Sequence, residues 1–309
     1  MHGKAPSAST CSLIIPYTLS AKFGAHSPQL PKPALHPGGS AGAVEFEACL
    51  DADAGEFFAE GVEGGQDGVG FVVVRNDVEG DFDRPPLLLE EDANLGWGPG
   101  ANVGLRRWLA DPDGSEWCGV APHDALAADG TIARLVEEGV RRPRAGLISA
   151  DVGDGMATII DPFFGTVLRP ATVTEGWEPM HYPHGTLLLA RRACLDEIGI
   201  FDERYFAYCE EADLGERARR AGWEVGIVRG ADVRNPYVAN SHALVDYLEE
   251  RNTLLLLRDD FGRWPASVRM GLGLWMVARG VRDPAKRRDI FDARARLRAM
   301  ADHLRGRYG

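Results

Sequence analysis

Three carboxylates, Glu210, Glu211 and Asp213, stand in the stretch YFAYCEEADLGERARRAGW (residues 205–223), behind an aromatic run and ahead of an arginine-rich helical pattern. Acidic groups this close repel one another. A solvated helix start, a salt-bridge face, a metal site and a catalytic base are all compatible with the stretch alone. Glu210 and Glu211 fall at the expected start of a helix, with Asp213 in its first turn. There the helix N-terminus favours negative charge by about 0.3–1 kcal/mol per group. Asp213–Arg217 and Glu216–Arg220 are i,i+4 pairs with the acid N-terminal, the better orientation. Those pairs account for Asp213 and Glu216, but they leave the adjacency of Glu210 and Glu211 unexplained. A base that must stay ionised near neutral pH gains from such a helix end.

Two further stretches hold groups suited to phosphate or metal. In APHDA, Asp124 follows the apolar run SEWCGVA across a proline turn. A carboxylate at a strand end can hold Mg²⁺ or Mn²⁺, hard cations often shared with substrate phosphates. A turn or N-cap role accounts for Asp124 equally well, and His123 reads as a packing or solvent-facing residue. In NLGWGPGAN (residues 94–102), Asn94, Gly96 and Asn102 precede or open a helix. Glycines there permit close backbone approach, and a helix start can face an anion. The spacing is not that of the G-x-G-x-x-G fingerprint.

The elements that must position these groups alternate. Phe71–Val74, Pro86–Leu89, Ser115–Ala121, Gly146–Ala150, Met156–Ile160 and Gly185–Ala190 read as strands. Asn102–Ala110, Thr131–Gly139 and Arg192–Ile198 read as helices, with weak helical patterning over Ala43–Phe58. Strands alternating with helices of about 10 residues predict an open, mostly parallel α/β sheet, with ligands beyond the carboxyl ends of its strands. From Ser241 the strand signals cease and two or three helices follow, interrupted near Gly262 and Pro284. The expected organisation is an irregular or disordered segment over 1–42, an α/β domain over 43–240 and a helical region over 241–309.

Composition narrows the function. The chain has 309 residues, 45% of them hydrophobic, enough for a full core. A net charge of −12 argues against a general nucleic-acid binder. The charge is uneven: residues 251–309 carry 14 Lys and Arg against 6 Asp, a net of +8, so the rest carries −20. Five cysteines (Cys11, Cys49, Cys118, Cys194, Cys209) lack metal-ligand spacing and are odd in number, which favours reduced thiols in a cytoplasmic setting. Residues 1–10 are polar and the apolar stretch after them is Leu13 to Ile15, so no signal peptide is expected. The longest C-terminal apolar run, MGLGLWMVA at 270–278, is about half of the roughly 20 residues that span a bilayer.

The order of these pieces resembles the family-2 glycosyltransferases of the GT-A fold. In GTLLLARRACLDEIGIFDERYFAYCEEADLGERARRAGWEV (residues 185–225) an apolar strand leads to an Arg-bearing helix (Arg191, Arg192) and a Gly-x-Phe-Asp-Glu turn (Gly199 to Glu203). The aromatic segment Tyr205 to Tyr208 then introduces the acidic motif Glu210 to Leu214 and Arg217. NLGWGPGANVGL is similar to the family's Asn-x-Gly segment, and APHDA sits where its DXD-type motif belongs. RNTLLLLRDDFG (residues 251–262) looks like the Arg-Asn segment of the rhamnosyltransferase-like branch. The resemblance covers roughly residues 70–262.

It implies a GT-A fold, a Rossmann-like open, mostly parallel sheet with a C-terminal helical extension. The implied activity is inverting transfer of a sugar from a nucleoside diphosphate-sugar to an acceptor hydroxyl, in cell-surface polysaccharide or glycolipid synthesis. By the same resemblance Glu211 is the general base, with Glu210 and Asp213 beside it, and Asp124 ligates a divalent metal, Mg²⁺ or Mn²⁺. Asn76, Asp77, Asn94, Gly96 and Asn102 fall on the donor side. The acceptor is a carbohydrate or a lipid-linked sugar, with no nucleic acid involved. The chain departs from the family pattern in four places: Glu211 stands where the family usually has Asp and is one methylene longer, Pro-His-Asp leaves one carboxylate in the DXD position, and Asn235 stands where His often follows the last strand. The fourth is the front end, where CSLIIPYTL is similar to the family's opening strand but lies more than 50 residues before FVVV. The irregular front end motivates an alternative, a non-catalytic GT-A-like binding or scaffold protein with a degenerate donor site. The basic C-terminal region suggests peripheral contact with the inner membrane leaflet, through Arg269, Arg279, Arg282 and the Lys286–Arg288 cluster around Trp275. Packing of that helix on the domain is the other reading.

Overall fold

The computed structural model describes the backbone of five strands, Cys11–Tyr17 (β1), Ala48–Asp51 (β2), Glu56–Ala59 (β3), Gly70–Arg75 (β4) and Leu88–Glu90 (β5). It describes residues 95–112, 114–122, 125–235 and 242–309 in full. The main sheet runs on through Trp117–Val120 (β6), Leu126–Ala127 (β7), Ala145–Asp151 (β8), Gly176–Pro179 (β11), Leu188–Arg191 (β12) and Glu224–Arg234 (β13), in the order β5-β4-β1-β6-β12-β8-β13-β11, with β7 on the end of β13. Met156–Asp161 (β9) and Gly165–Pro170 (β10) form a separate antiparallel ribbon.

Parallel pairing joins β1 to β4 and to β6, β4 to β5, and β8 to β13. β12 enters antiparallel between β6 and β8, setting Leu189 opposite both Gly119 and Ile148. The strands β6 and β8 are buried along their whole length because helices cover both faces of the sheet. Side-chain alternation sends Cys118, Leu147 and Leu188 to one face and Trp117, Ile148 and Leu189 to the other. On the first face lie helices Trp97–Ala110 (α1), Arg192–Ile198 (α3) and Glu210–Arg220 (α4), through Leu105, Trp108, Leu195 and Leu214. On the second lies Thr131–Arg141 (α2), through Leu135.

The expected open, mostly parallel sheet with a C-terminal helical extension is present. Two expectations at the front end are corrected. Residues 11–17, grouped with the irregular segment 1–42 although similar to the family's opening strand, form a strand inside the sheet, because the apolar run CSLIIPY pairs on both sides. Within Ala43–Phe58, patterned as a weak helix, β2 and β3 pair antiparallel instead.

The chain then forms three helices, His242–Asp260 (α5), Arg263–Arg282 (α6) and Ala293–Leu304 (α7). α5 is buried all round from Glu250 to Leu257. Leu255 joins Tyr205 and Cys209, and Leu256 joins Ala212 and Ile160, so this helix lies directly beneath the acidic motif. Burying four consecutive leucines stabilises the junction by about 1.5–3 kcal/mol each. On its far side, Asp246 and Glu250 of α5 meet Arg296 of α7 and Arg269 of α6 in a buried ionic cluster. Arg269, expected to face an anionic surface, is instead buried and donates to both Glu250 oxygens, at 3.0 and 2.8 Å. A fork of this kind needs a planar guanidinium.

Candidate active site

The acidic motif opens α4. Its cap, Cys209, and the residue before it, Tyr208, both have left-handed backbones (φ 72° and 69°), and the Cys209 carbonyl accepts the first helical bond from the Asp213 N–H. The three carboxylates therefore sit on the first turn with three different surroundings.

Asp213 accepts from Arg217 Nε and Nη2 at 2.8 and 2.7 Å, and the same guanidinium donates to the carbonyls of Ile198 and Ile200. This pair fastens α4 to the Gly-x-Phe-Asp-Glu turn. Glu216 pairs with Arg219 and Arg220. Both i,i+4 pairs expected from the sequence are formed.

Glu210 is buried, with Oε2 lacking a hydrogen-bond partner, and its side chain packs on Gly98 at the start of α1. Burial first, and the charge of Glu211 second, raise its pKa well above its ordinary value.

Glu211 is half-buried. A β-carbon on Gly185 would lie 2.0 Å from Glu211 Oε1 and 3.6 Å from the Trp97 ring, so backbone, carboxyl and indole converge at one point. Desolvation lifts the Glu211 pKa to about 7, against the pull of its own backbone N–H. Tyr182 stands close enough for Glu211 to push its phenol upward, after burial and Cys209. A carboxyl poised near neutrality between an indole and a bare backbone suits proton abstraction from a hydroxyl.

The glycine-rich loop is committed to the same assembly. Gly96 has φ 91°, and a β-carbon there would strike the Phe206 carbonyl at 2.0 Å; Trp97 N–H donates to that carbonyl at 2.8 Å. Its close backbone approach is thus to the aromatic run. Asn102 is wholly buried, donating from Nδ2 to the Phe201 carbonyl (2.8 Å) and Glu203 (3.3 Å), while its Oδ1 accepts from Phe201 N–H (3.1 Å). Both ends of its amide serve the turn before the acidic motif. Arg191 and Arg192 likewise bind backbone carbonyls and stack on Trp117 and Trp108.

Asn76, Asp77, Asn94 and Asp124, together with His123, lie outside the described residues. On either side of His123 and Asp124, just past β6, the Ala125 N–H donates to the Pro122 carbonyl at 3.1 Å. Among the described residues no group of three or more His, Cys, Asp or Glu forms a metal-binding set.

Sequence reasoning passed over the segment MHYPHG, residues 180–185. A β-carbon on Gly215 would strike the His181 carbonyl at 2.5 Å, so this segment lies across α4. His181 Nδ1 accepts from the Ile160 N–H, and burial lowers the His181 pKa, which leaves it neutral. Burial also lowers the pKa of His184, whose N–H donates to Ser149 Oγ. Two histidines, a tyrosine and a glycine directly before an apolar strand were the signal available.

No family model matches the chain. Over 175 residues it is 30% identical to the N-acetylglucosaminyl-diphospho-decaprenol L-rhamnosyltransferase of Mycobacterium tuberculosis, in strains CDC 1551 / Oshkosh and ATCC 25618 / H37Rv alike. That match takes in 47% of this chain and 57% of the relative, so the chain spans little more than half the length of the curated relatives it matches. The similarity to the rhamnosyltransferase-like branch read from the motifs accordingly extends to a curated protein. Among solved structures, the chain is similar to GalNAc-T7 with UDP, GalNAc and Mn²⁺ (10% identity, 76% of this chain and 48% of that one, TM-score 0.48). It is also similar to the mannosyltransferase PcManGT from Pyrobaculum calidifontis in complex with GDP-Man and Mn²⁺ (14%, 76% and 78%, TM-score 0.45).

Proposed function

We propose that the chain is an inverting glycosyltransferase, moving a sugar from a nucleoside diphosphate-sugar to the hydroxyl of a carbohydrate or lipid-linked acceptor in surface polysaccharide or glycolipid synthesis. The observation that carries this reading is Glu211, a half-buried carboxyl with a pKa of about 7 at the start of α4. The motif resemblance assigns the general base to that position.

In this reading Glu211 takes the acceptor proton as the hydroxyl oxygen attacks the anomeric carbon, and the nucleoside diphosphate leaves from the opposite face. Burial and the neighbouring carboxylate both favour the protonated form of Glu210, so the pair resists carrying two negative charges at once. Trp97 and the bare backbone of Gly185 limit where an acceptor can approach. Divalent-metal dependence through Asp124, and nucleotide contacts by Asn76, Asp77 and Asn94, belong to the same proposal on the strength of the resemblance. A bound cation would stabilise the leaving diphosphate.

The relative's name directs the choice of acceptor towards a polyprenyl diphosphate-linked N-acetylglucosamine, and of donor towards an activated L-rhamnose. A lipid-linked acceptor also gives α6 a role at the cytoplasmic face of the membrane. No described helix is long and apolar enough to cross a membrane. The outer face of α6, however, exposes Trp264, Leu274, Trp275 and Val281, with Arg279 over the Trp275 ring and Arg282 exposed at its end. An apolar face edged by cations suits an anionic leaflet.

The test is a transfer assay with that acceptor and a panel of nucleotide-sugars, with and without Mn²⁺. Product with inverted anomeric configuration, lost in Glu211→Gln, is expected. No transfer from any donor, together with no nucleotide binding by calorimetry, would leave the non-catalytic alternative standing.

A further inference from the structure

The helix start that presents Glu211 is reached through a costly backbone. Tyr208 and Cys209 are the only non-glycine residues with positive φ among the described residues, and they are consecutive. Such conformations cost on the order of 1–3 kcal/mol each and persist only where the surroundings over-determine them. Here the surroundings are on α5, 44 residues along the chain.

Asn252 is wholly buried and donates from Nδ2 to the carbonyls of both Ala207 (2.7 Å) and Tyr208 (2.8 Å). Its Oδ1 accepts from Arg251 Nε at 3.0 Å, so the amide has one orientation, with the nitrogen towards the loop. Arg251 is itself buried, between the rings of Tyr247 and Tyr308 (5.3 and 5.8 Å). The next residue, Thr253, places Oγ1 3.8 Å from Cys209 Sγ. With Phe206 bonded to Trp97, three successive carbonyls ahead of α4 are held from outside their own segment.

We propose that Asn252 is a positioning residue for the proton abstraction: by holding the left-handed pair Tyr208–Cys209 it sets the direction of the first turn of α4 and so the aim of Glu211. Its kinetic consequence rests on the function proposed above; the holding of the loop does not. The helical region is then a working part of the site.

The test uses the full chain and three variants, Asn252→Asp, Asn252→Ala and the double variant Asn252→Ala/Cys209→Gly. Asn252→Asp keeps the shape but sets a carboxylate against two carbonyls. The double variant removes the left-handed penalty at Cys209, one of the two, and so lessens the cost to the fold, since glycine adopts that region freely, yet it leaves the loop unheld. Hydrogen exchange of the 207–213 amides is expected to rise at least about 10-fold, with β8 and β12 unchanged. The kcat is expected to fall about 100-fold with donor KM within a few-fold, and to stay low in the double variant. Unchanged exchange at 207–213, an even rise across the sheet, or wild-type kcat in the double variant would overturn the proposal. If the wild type transfers no sugar, the functional reading fails separately, and the exchange data alone decide the clamp.

Discussion

The Glu211 carboxyl rests against the bare α-carbon of Gly185, with the Trp97 ring at the same point. A strand-side residue without a side chain thus sets the position of an acid that the sequence places 26 residues away. Gly185→Ala, at a position whose backbone is not left-handed, forces that carboxyl to move. The expected result is a fall in kcat of about 100-fold, the scale of a 1 Å misplacement, with the melting temperature little changed.

The pKa of Glu211, lifted to about 7 from 4.5, fixes the sign of two pH effects. As a base it must be ionised, so kcat should rise with pH through an acid limb near 7, absent from any residual activity of Glu211→Gln. Stability runs the other way. Between pH 4.5 and 7 the native chain holds a proton that the unfolded chain has released, so this group's contribution falls as pH rises and stays low above 7. The loss is up to about 3 kcal/mol at 1.36 kcal/mol per unit. Glu211→Gln should therefore raise the melting temperature at pH 8 while leaving it nearly unchanged at pH 4, as thermal melts at the two pH values would show.

Asn102 ties α1 to the turn at Phe201 through both ends of its amide. Asn102→Ala leaves the Phe201 N–H and carbonyl without these partners in a buried setting, at about 1–3 kcal/mol for each unsatisfied group. A lowered urea midpoint with an unchanged slope is expected. If the Asn102 amide served donor binding instead, donor KM would rise with stability intact.

Arg269 and Arg279 lie on the same helix with opposite fates. Arg269→Met takes both hydrogen bonds from the buried Glu250 carboxylate, leaving it Arg296 at 3.5 Å, and should destabilise the protein by about 3 kcal/mol in denaturant titration. Arg279→Glu, on the exposed face beside Trp275, should leave stability within about 0.5 kcal/mol. It should weaken flotation with anionic vesicles, as should Trp264→Ser. Vesicle binding that ignores both substitutions and added salt would remove the membrane reading.

Much of the scaffold is legible in the sequence because its signals are local. The apolar strands β6, β8 and β12, the amphipathic α2, the helix break near Gly262 and the two i,i+4 pairs of α4 each follow from a few neighbouring residues. The position of the acidic motif at a helix start was legible for the same reason. The separation of Glu210 from Glu211 was not. One carboxyl packs on Gly98 and the other on Gly185, and residues adjacent in sequence acquire different chemistry only through segments brought from elsewhere in the chain. The committed amides of Asn102 and Asn252, the burial of Arg269, and the left-handed pair before α4 depend on the same kind of contact. Composition and period mark the elements whose signal is strong and local, and they miss others, as at β2 and β3. Which polar group is left with a pKa near neutrality is decided by desolvation, and desolvation exists only once distant segments close over it.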